Sequence, residues 1–270
     1  MTDLPHFSNP PVVEVALAVG FRPLAGFRIV DLGRLWERYQ EAFPKVEEQP
    51  PLQMTVEQFG GRGSTPSVSL SLMATPPPPR VWFLDEDESQ LVQVQNDWFA
   101  RNWRKTGSSA DYPRYPRMRA PFESDLGVFL DHVRTGNLGE FSPTQCEITY
   151  INHIPAAEAT GDALGDVLTL LASGPAGRFP LAPESVTVAA QYVLRTAEGP
   201  VGRLHVSAQP AIRRVDGYPI TVLTLTARGR PLGEGVEGVL SFLDLGHEWV
   251  VRGFDAATTE KMHVAWGRQQ

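Results

Sequence analysis

Apolar and polar positions along this chain recur with periods that translate directly into elements. "VVEVALAV" at 12–19 is a short apolar run rich in β-branched residues and predicts a strand. In "DLGRLWERYQEAFP", Leu32, Leu35, Trp36, Tyr39 and Phe43 share one helical face, with Asp31 placed to cap the start and Pro44 to stop it. Lys45 to Pro66 is rich in Pro, Gln and Gly and predicts mostly loop. "SVSLSLM" alternates Val68, Leu70 and Leu72 against Ser67, Ser69 and Ser71, the pattern of a strand with one buried face, and the prolines at 76–79 end it. "RVWFL" and "QLVQVQ" flank the acidic turn "DEDES" and predict a hairpin. Phe122, Leu126, Phe129, Leu130 and Val133 mark a second helix that ends near Gly136.

The second half repeats this order. "TQCEITYI" predicts a strand, "GDALGDVLTLLAS" a helix, and "SVTVAAQYVLR", "VGRLHVSA" and "YPITVLTLTAR" three strands. In "VEGVLSFLDLGHEWVVRGF", Val236, Val239, Leu240, Leu243, His247, Val250, Val251 and Phe254 lie on one stripe of a long helix, and a short helix follows from Thr259. Pro10 precedes Glu14 by four positions, and Pro143 precedes Glu147 by four, each glutamate inside the first strand of its half. The expected fold is α+β: two β-α-β-β-β-α repeats, residues 1–140 and 141–270, sharing a large curved antiparallel sheet with helices on one face.

Composition narrows the function classes. A net charge of −7 argues against broad binding to nucleic acid or anionic membrane. The single cysteine, Cys146, excludes an intramolecular disulfide and suits a reducing compartment. The first apolar run is short, contains Glu14 and has no basic residue before it, so neither a signal peptide nor a membrane span is expected there. These readings predict a cytoplasmic protein, with self-association left open.

Catalytic signatures are sparse. Glycine-rich phosphate loops and the G-x-S-x-G nucleophile elbow do not occur, and "GGRGS" at 60–64 reads as a turn. "HEWVV" begins like a zinc-protease helix, but Val251 stands where the second histidine is needed. His247 is expected to be a core residue bonded to a carbonyl or carboxylate, with His263 or Asp244 as neighbours in sequence. "DEDES" lacks the spacing of a calcium loop and reads as a solvated tip. Cys146 is expected to be buried and inert. No metal or cofactor is predicted.

Two surfaces are candidates for binding. Glu14 and Glu147 should share the helix-free face of the sheet, with Gln93, Gln95, Gln191, Arg195 and His205 beside them. A half-solvated antiparallel sheet is polar on that face by default. The second candidate is "QNDWFARNWRK" together with the residues that lead from it to Arg119. Arg101, Arg104, Lys105, Arg114, Arg117 and Arg119 interleave with Trp98, Phe99, Trp103, Tyr112 and Tyr115. That mixture suits phosphate contact with base stacking, or a brace of arginines on aromatics, and the brace is favoured. The strand is expected to end near Gln95, leaving at least one of the two tryptophans less buried than a core residue.

The motifs "NPPVVEVALAVGFRPL", "LWERYQEAFP", "QNDWFARNWRK", "YPRYPRM", "CEITYINHI" and "LDLGHE" with "HVAWGR" resemble a sporadically distributed bacterial and archaeal family of uncharacterised proteins. That resemblance spans nearly the full chain and implies no reaction and no cofactor. The element order of each half is similar to the repeats of TATA-binding-protein-like modules, whose duplicated forms share one curved sheet; fold order alone does not assign function. The expected function is that of a non-enzymatic binding or regulatory protein. Its partner would be a protein or a nucleotide-like or nucleic-acid anion, bound by the polar sheet face or the basic-aromatic stretch. The alternative is a small-ligand receptor or enzyme with a pocket between the halves.

Overall fold

The computed structural model describes residues 4–54, 56–59, 79–107, 111–155, 168–169 and 185–269. The chain is α+β. Nine antiparallel strands form one sheet: β2 (Val12–Phe21), β3 (Lys45–Gln49), β4 (Arg80–Leu84), β5 (Gln90–Gln95), β6 (Trp98–Arg104), β7 (Pro143–Pro155), β8 (Val188–Thr196), β9 (Gly199–Ile212) and β10 (Pro219–Gly229), in the spatial order β3-β4-β5-β6-β2-β7-β10-β9-β8. β1 (His6–Phe7) and β11 (Arg268–Gln269) pair separately and tie the two ends of the chain together. The predicted strand at 67–73 lies outside the described residues, as does all of the predicted helix at 161–173 except Leu168 and Thr169.

β2 and β7 pair at the centre. Moving outward, β2 is followed by β6, β5 and β4, and β7 by β10, β9 and β8. β3 extends the first side. The sequence reads residues 45–66 as mostly loop, yet Lys45–Gln49 is a strand. Its residues are nearly all exposed, because an edge strand paired on one side only buries neither face and so shows no alternation.

Alternation on the inner strands sorts the side chains. Val15, Leu17, Val19 and Phe21 of β2 and Cys146, Ile148 and Tyr150 of β7 point to the helices and are buried. Among the described residues three helices cover that face: α1 (Ile29–Tyr39), α2 (Pro116–Thr135) and α3 (Gly235–Ala257), with α4 (Glu260–Ala265) near the C-terminus. Asp31 sits inside the first turn of α1 rather than at its cap, and its carboxylate accepts the Arg28 backbone N–H at 2.8 Å. Gly246 lets α3 lie close against the sheet, since a side-chain carbon there would fall 2.7 Å from the Ile148 methyl. Phe21, Phe99, Phe122 and Phe129 fill the space between α2 and the sheet. No helix among the described residues is long and apolar enough to cross a membrane.

Candidate functional site

The basic-aromatic stretch does not leave the sheet. After a two-residue turn at Asn96 and Asp97 it becomes β6, paired with β5 on one edge and β2 on the other. Trp98 and Trp103 are both buried, at 8% and 3% exposure. Five positions apart on a strand they face opposite ways. Trp103 enters the helix-side core, its ring 5.7 Å from that of Tyr112. Trp98 packs on the other face with Ala18, Ala100 and Met54. The arginines are distributed in the same way. Arg101 lies on the helix side, ion-paired with Asp125 and over the Phe43 ring, whereas Arg104 stacks on Trp82 across the other face. Arg117 is exposed on α2. Thus the cluster contiguous in sequence is divided between two faces; Tyr112, Arg114 and Tyr115 line one cavity and Lys105 a neighbouring one.

The helix-free face does carry the predicted glutamates. Glu14 lies opposite Arg104 on β6 and accepts from Asn102 Nδ2 at 2.7 Å. Glu147 lies opposite Arg228 on β10 and accepts from its Nε at 2.6 Å. Glu14 pairs with Ile151 and Glu147 with Ala18, four positions apart in register, about 13 Å along the strands. Two carboxylates so separated do not work as a single acid–base pair. Arg195 and Gln191 sit exposed on the edge strand β8.

Part of this face is occupied by the chain itself. Residues 50–54 and 56–59 cross it. The Leu52 N–H donates to Gln95 Oε1 at 2.8 Å, and Gln95 returns a bond to the Leu52 carbonyl at 3.0 Å. Met54 passes over Gly20, where any side-chain carbon would collide with its sulfur. Glu57 then docks among Arg203, His205 (2.6 Å) and Arg228 (4.0 Å), while the Arg203 guanidinium covers the Phe59 ring. His205, the predicted polar residue of β9, is therefore engaged within the fold, together with Arg203 and Arg228.

The opposite side holds a cavity of about 250 Å³ between the first and second halves. Its walls come from the N-terminal segment (Phe7), β2 (Val12), the segment leading into α2 (Tyr112, Tyr115), the central strands (Tyr150, Asn152, Leu225) and the apolar stripe of α3 (Val250, Val251, Phe254). The lining is mainly apolar, with one chain of polar groups set into it. Tyr112 and Tyr150 share a hydroxyl hydrogen bond of 2.9 Å, and the Tyr150 hydroxyl lies 3.1 Å from His247 Nδ1. The Tyr115 ring stacks flat on His247 at 4.0 Å. Its hydroxyl donates to Asp244 at 2.7 Å, and Arg119 clamps the same carboxylate at 2.8 and 3.2 Å.

Burial governs the titration of these groups. It lowers the His247 pKa to about 4, against the opposing pull of Asp244 and Glu248, so the imidazole is neutral near pH 7. Burial pushes Tyr112 up to about 12, offset in part by its bond to Tyr150, and holds Tyr150 and Tyr115 well above the ordinary tyrosine value. The partner of His247 is thus a tyrosine hydroxyl. Asp244 contacts Tyr115 instead, and His263 turns to Thr258 and the Asp255 carbonyl. Cys146 is buried on the helix face, and burial pushes its thiol well up. Among the described residues no three His, Cys, Asp or Glu side chains are grouped so as to hold a metal ion.

Asn152 is the residue that sequence reasoning passes over. On β7 the helix-facing positions run Cys146, Ile148, Tyr150, Asn152, Ile154, so one amide interrupts an apolar row. It is 1% exposed and lines the cavity. Its Nδ2 donates to the Leu223 carbonyl at 3.0 Å, but its Oδ1 has no partner among the described residues. A buried acceptor left so costs about 1–3 kcal/mol. The signal is present in "CEITYINHI" as a polar residue on the buried phase of the alternation.

No protein family, curated protein or solved structure matches this chain.

Proposed function

We propose that this chain is a non-enzymatic binding protein that holds a small, mainly apolar molecule in the cavity between its two halves. The observation that carries this reading is the cavity itself: about 250 Å³, walled by Val12, Leu225, Val250 and Phe254, and furnished with few, specifically placed polar groups. Ligand sites have this composition, with apolar walls for affinity and a few polar atoms for orientation. A cavity of about 150 Å³ already holds a benzene, so a substituted single ring is within reach. The open sheet face is the weaker candidate, because a macromolecule docking there would have to displace residues 50–54 and 56–59 and break the Glu57 ion pairs. The hydroxyls of Tyr112 and Tyr150 bond to each other and to a neutral His247, an arrangement that orients a ligand rather than activates one. A reducing, cytoplasmic setting suits the one buried thiol.

The test is titration calorimetry of the full chain with small aromatic probes such as indole and phenol. Binding is expected for the wild type and is expected to be lost in Val251→Trp, which fills the cavity from α3. Equal heats in both proteins would overturn the reading.

We infer further that residues 1–140 and 141–270 are two copies of one β-α-β-β-β-α unit that met along β2 and β7. The mirrored strand order about that pair supports this, as does the placement of Glu14 opposite Arg104 and Glu147 opposite Arg228 in corresponding strands. In an experimental structure, residues 9–136 and 142–256 should superpose strand for strand; helices of unmatched position or direction would reject the duplication.

A further inference from the structure

We propose that the ligand of the cavity is a small aromatic carboxylate that also carries one N–H or O–H donor. This rests on the small-molecule reading above and names the ligand's chemistry.

The donor is required by Asn152. Its amide cannot be turned around to relieve the free oxygen, because Nδ2 is committed to the Leu223 carbonyl and a flip would set oxygen against oxygen. Oδ1 therefore accepts or stays unpaired. The neighbouring hydroxyls of Tyr112 and Tyr150 already bond to each other, and Tyr150 also to His247, so the cavity offers Asn152 no partner of its own. A ligand O–H or N–H at that point supplies what the fold does not.

The carboxylate is argued from the mouth. The apolar cavity shares Pro10, Val12, Tyr112 and Arg114 with a second, polar cavity of about 300 Å³ that Ser8, Asn9, Lys105 and Asp111 complete. Two cations and one carboxylate leave that mouth with a surplus positive charge. Lys105 is exposed and makes no ion pair among the described residues. Arg114 spends one bond on the Ser8 carbonyl at 3.2 Å and lies over the Tyr112 ring, leaving most of its five N–H donors open to an anion. Its backbone is left-handed, at φ 68°, a conformation that a non-glycine residue adopts only where its surroundings hold it. The first turn of α2, which begins beside this mouth, contains no acidic residue to compete for an anion.

The deep part of the site excludes the opposite arrangement. Apart from Arg114 at the mouth its walls present no arginine or lysine to a buried charge, and an uncompensated charge among Val250, Phe254 and Leu225 is strongly disfavoured. The anion belongs at Arg114 and Lys105, and the ring belongs inside.

The experiment compares three probes on the full chain by titration calorimetry: 4-hydroxyphenylacetate, phenylacetate and 4-hydroxyphenethyl alcohol. 4-Hydroxyphenylacetate should bind at least tenfold more tightly than either relative. In Asn152→Leu the advantage over phenylacetate should vanish while the advantage over the alcohol remains. In Arg114→Asn, which tolerates the left-handed backbone, the reverse should hold. An alcohol that binds as tightly as the acid, or an Arg114→Asn protein that still discriminates the two, would overturn the carboxylate assignment while leaving a small-molecule site intact. If none of the three probes, nor indole, binds the wild type, both readings fail together.

Discussion

Arg101→Leu should lower the unfolding free energy by about 3 kcal/mol, the effect expected when one member of a buried ion pair is removed and the other left behind. The Arg101 and Asp125 side chains are only 12% and 17% exposed. Arg101 also contacts Gln90 and covers the Phe43 ring, so it joins β6 to α2 and to the segment after α1. Burial raises the Asp125 pKa, and Arg101 is what opposes that rise. Without the guanidinium the carboxylate must either stay charged in a poor solvent or take up a proton. Replacing both residues, Arg101→Leu with Asp125→Leu, should restore most of the loss, because an apolar pair leaves no orphaned charge. Urea unfolding of the two single variants and the double variant measures the cycle. A single-variant loss below about 1 kcal/mol would place the pair with ordinary surface bridges and reject it as a brace.

The second large effect is on pH. His247 has a folded-state pKa lowered by burial from 6.5 to about 4. The unfolded chain takes up a proton near pH 6.5, and the folded protein refuses it until about pH 4. Within that window the unfolded state binds more protons, so stability rises with pH. The contribution is complete above pH 6.5 and is lost as pH falls toward 4. The whole shift corresponds to about 3 kcal/mol at 1.36 kcal/mol per pKa unit. His153 and His132 are lowered in the same direction by burial and carboxylates titrate at the low end, so the informative quantity is a difference. Stability curves of wild type and His247→Gln, measured by urea unfolding from pH 7.5 to 4, should converge as pH falls. Parallel curves would mean that His247 takes up its proton freely in the folded protein. The same variant should leave metal content unchanged, since its role is stacking on Tyr115 and bonding to Tyr150.

Much of the fold is legible because alternation and helical stripes are local. The central strands, the two longest helices and the side of the sheet on which each β7 residue falls follow from period alone, as does the placement of Glu14 and Glu147 on one face. β3 is not legible, since an edge strand without a buried side carries no periodic signal. β6 misleads for a different reason. Asn96 and Asp97 form a tight hairpin turn, and the dense charge after it resembles a loop until both edges of the strand are paired.

The sequence by itself determined the α+β class, the two longest helices and the burial phase of most of the central strands, because each depends on neighbours within a few residues. Only the tertiary structure decided where function is best sought. It sent Trp98 and Trp103 to opposite faces, spent Arg101 on Asp125, and laid residues 50–54 and 56–59 over the polar face. It also brought Tyr112, Tyr150, Asn152 and His247 together from segments far apart in the chain. A cavity is a property of surfaces that fail to meet, and no local period encodes that. The one trace it left in the sequence is Asn152, a polar residue where the alternation required an apolar one.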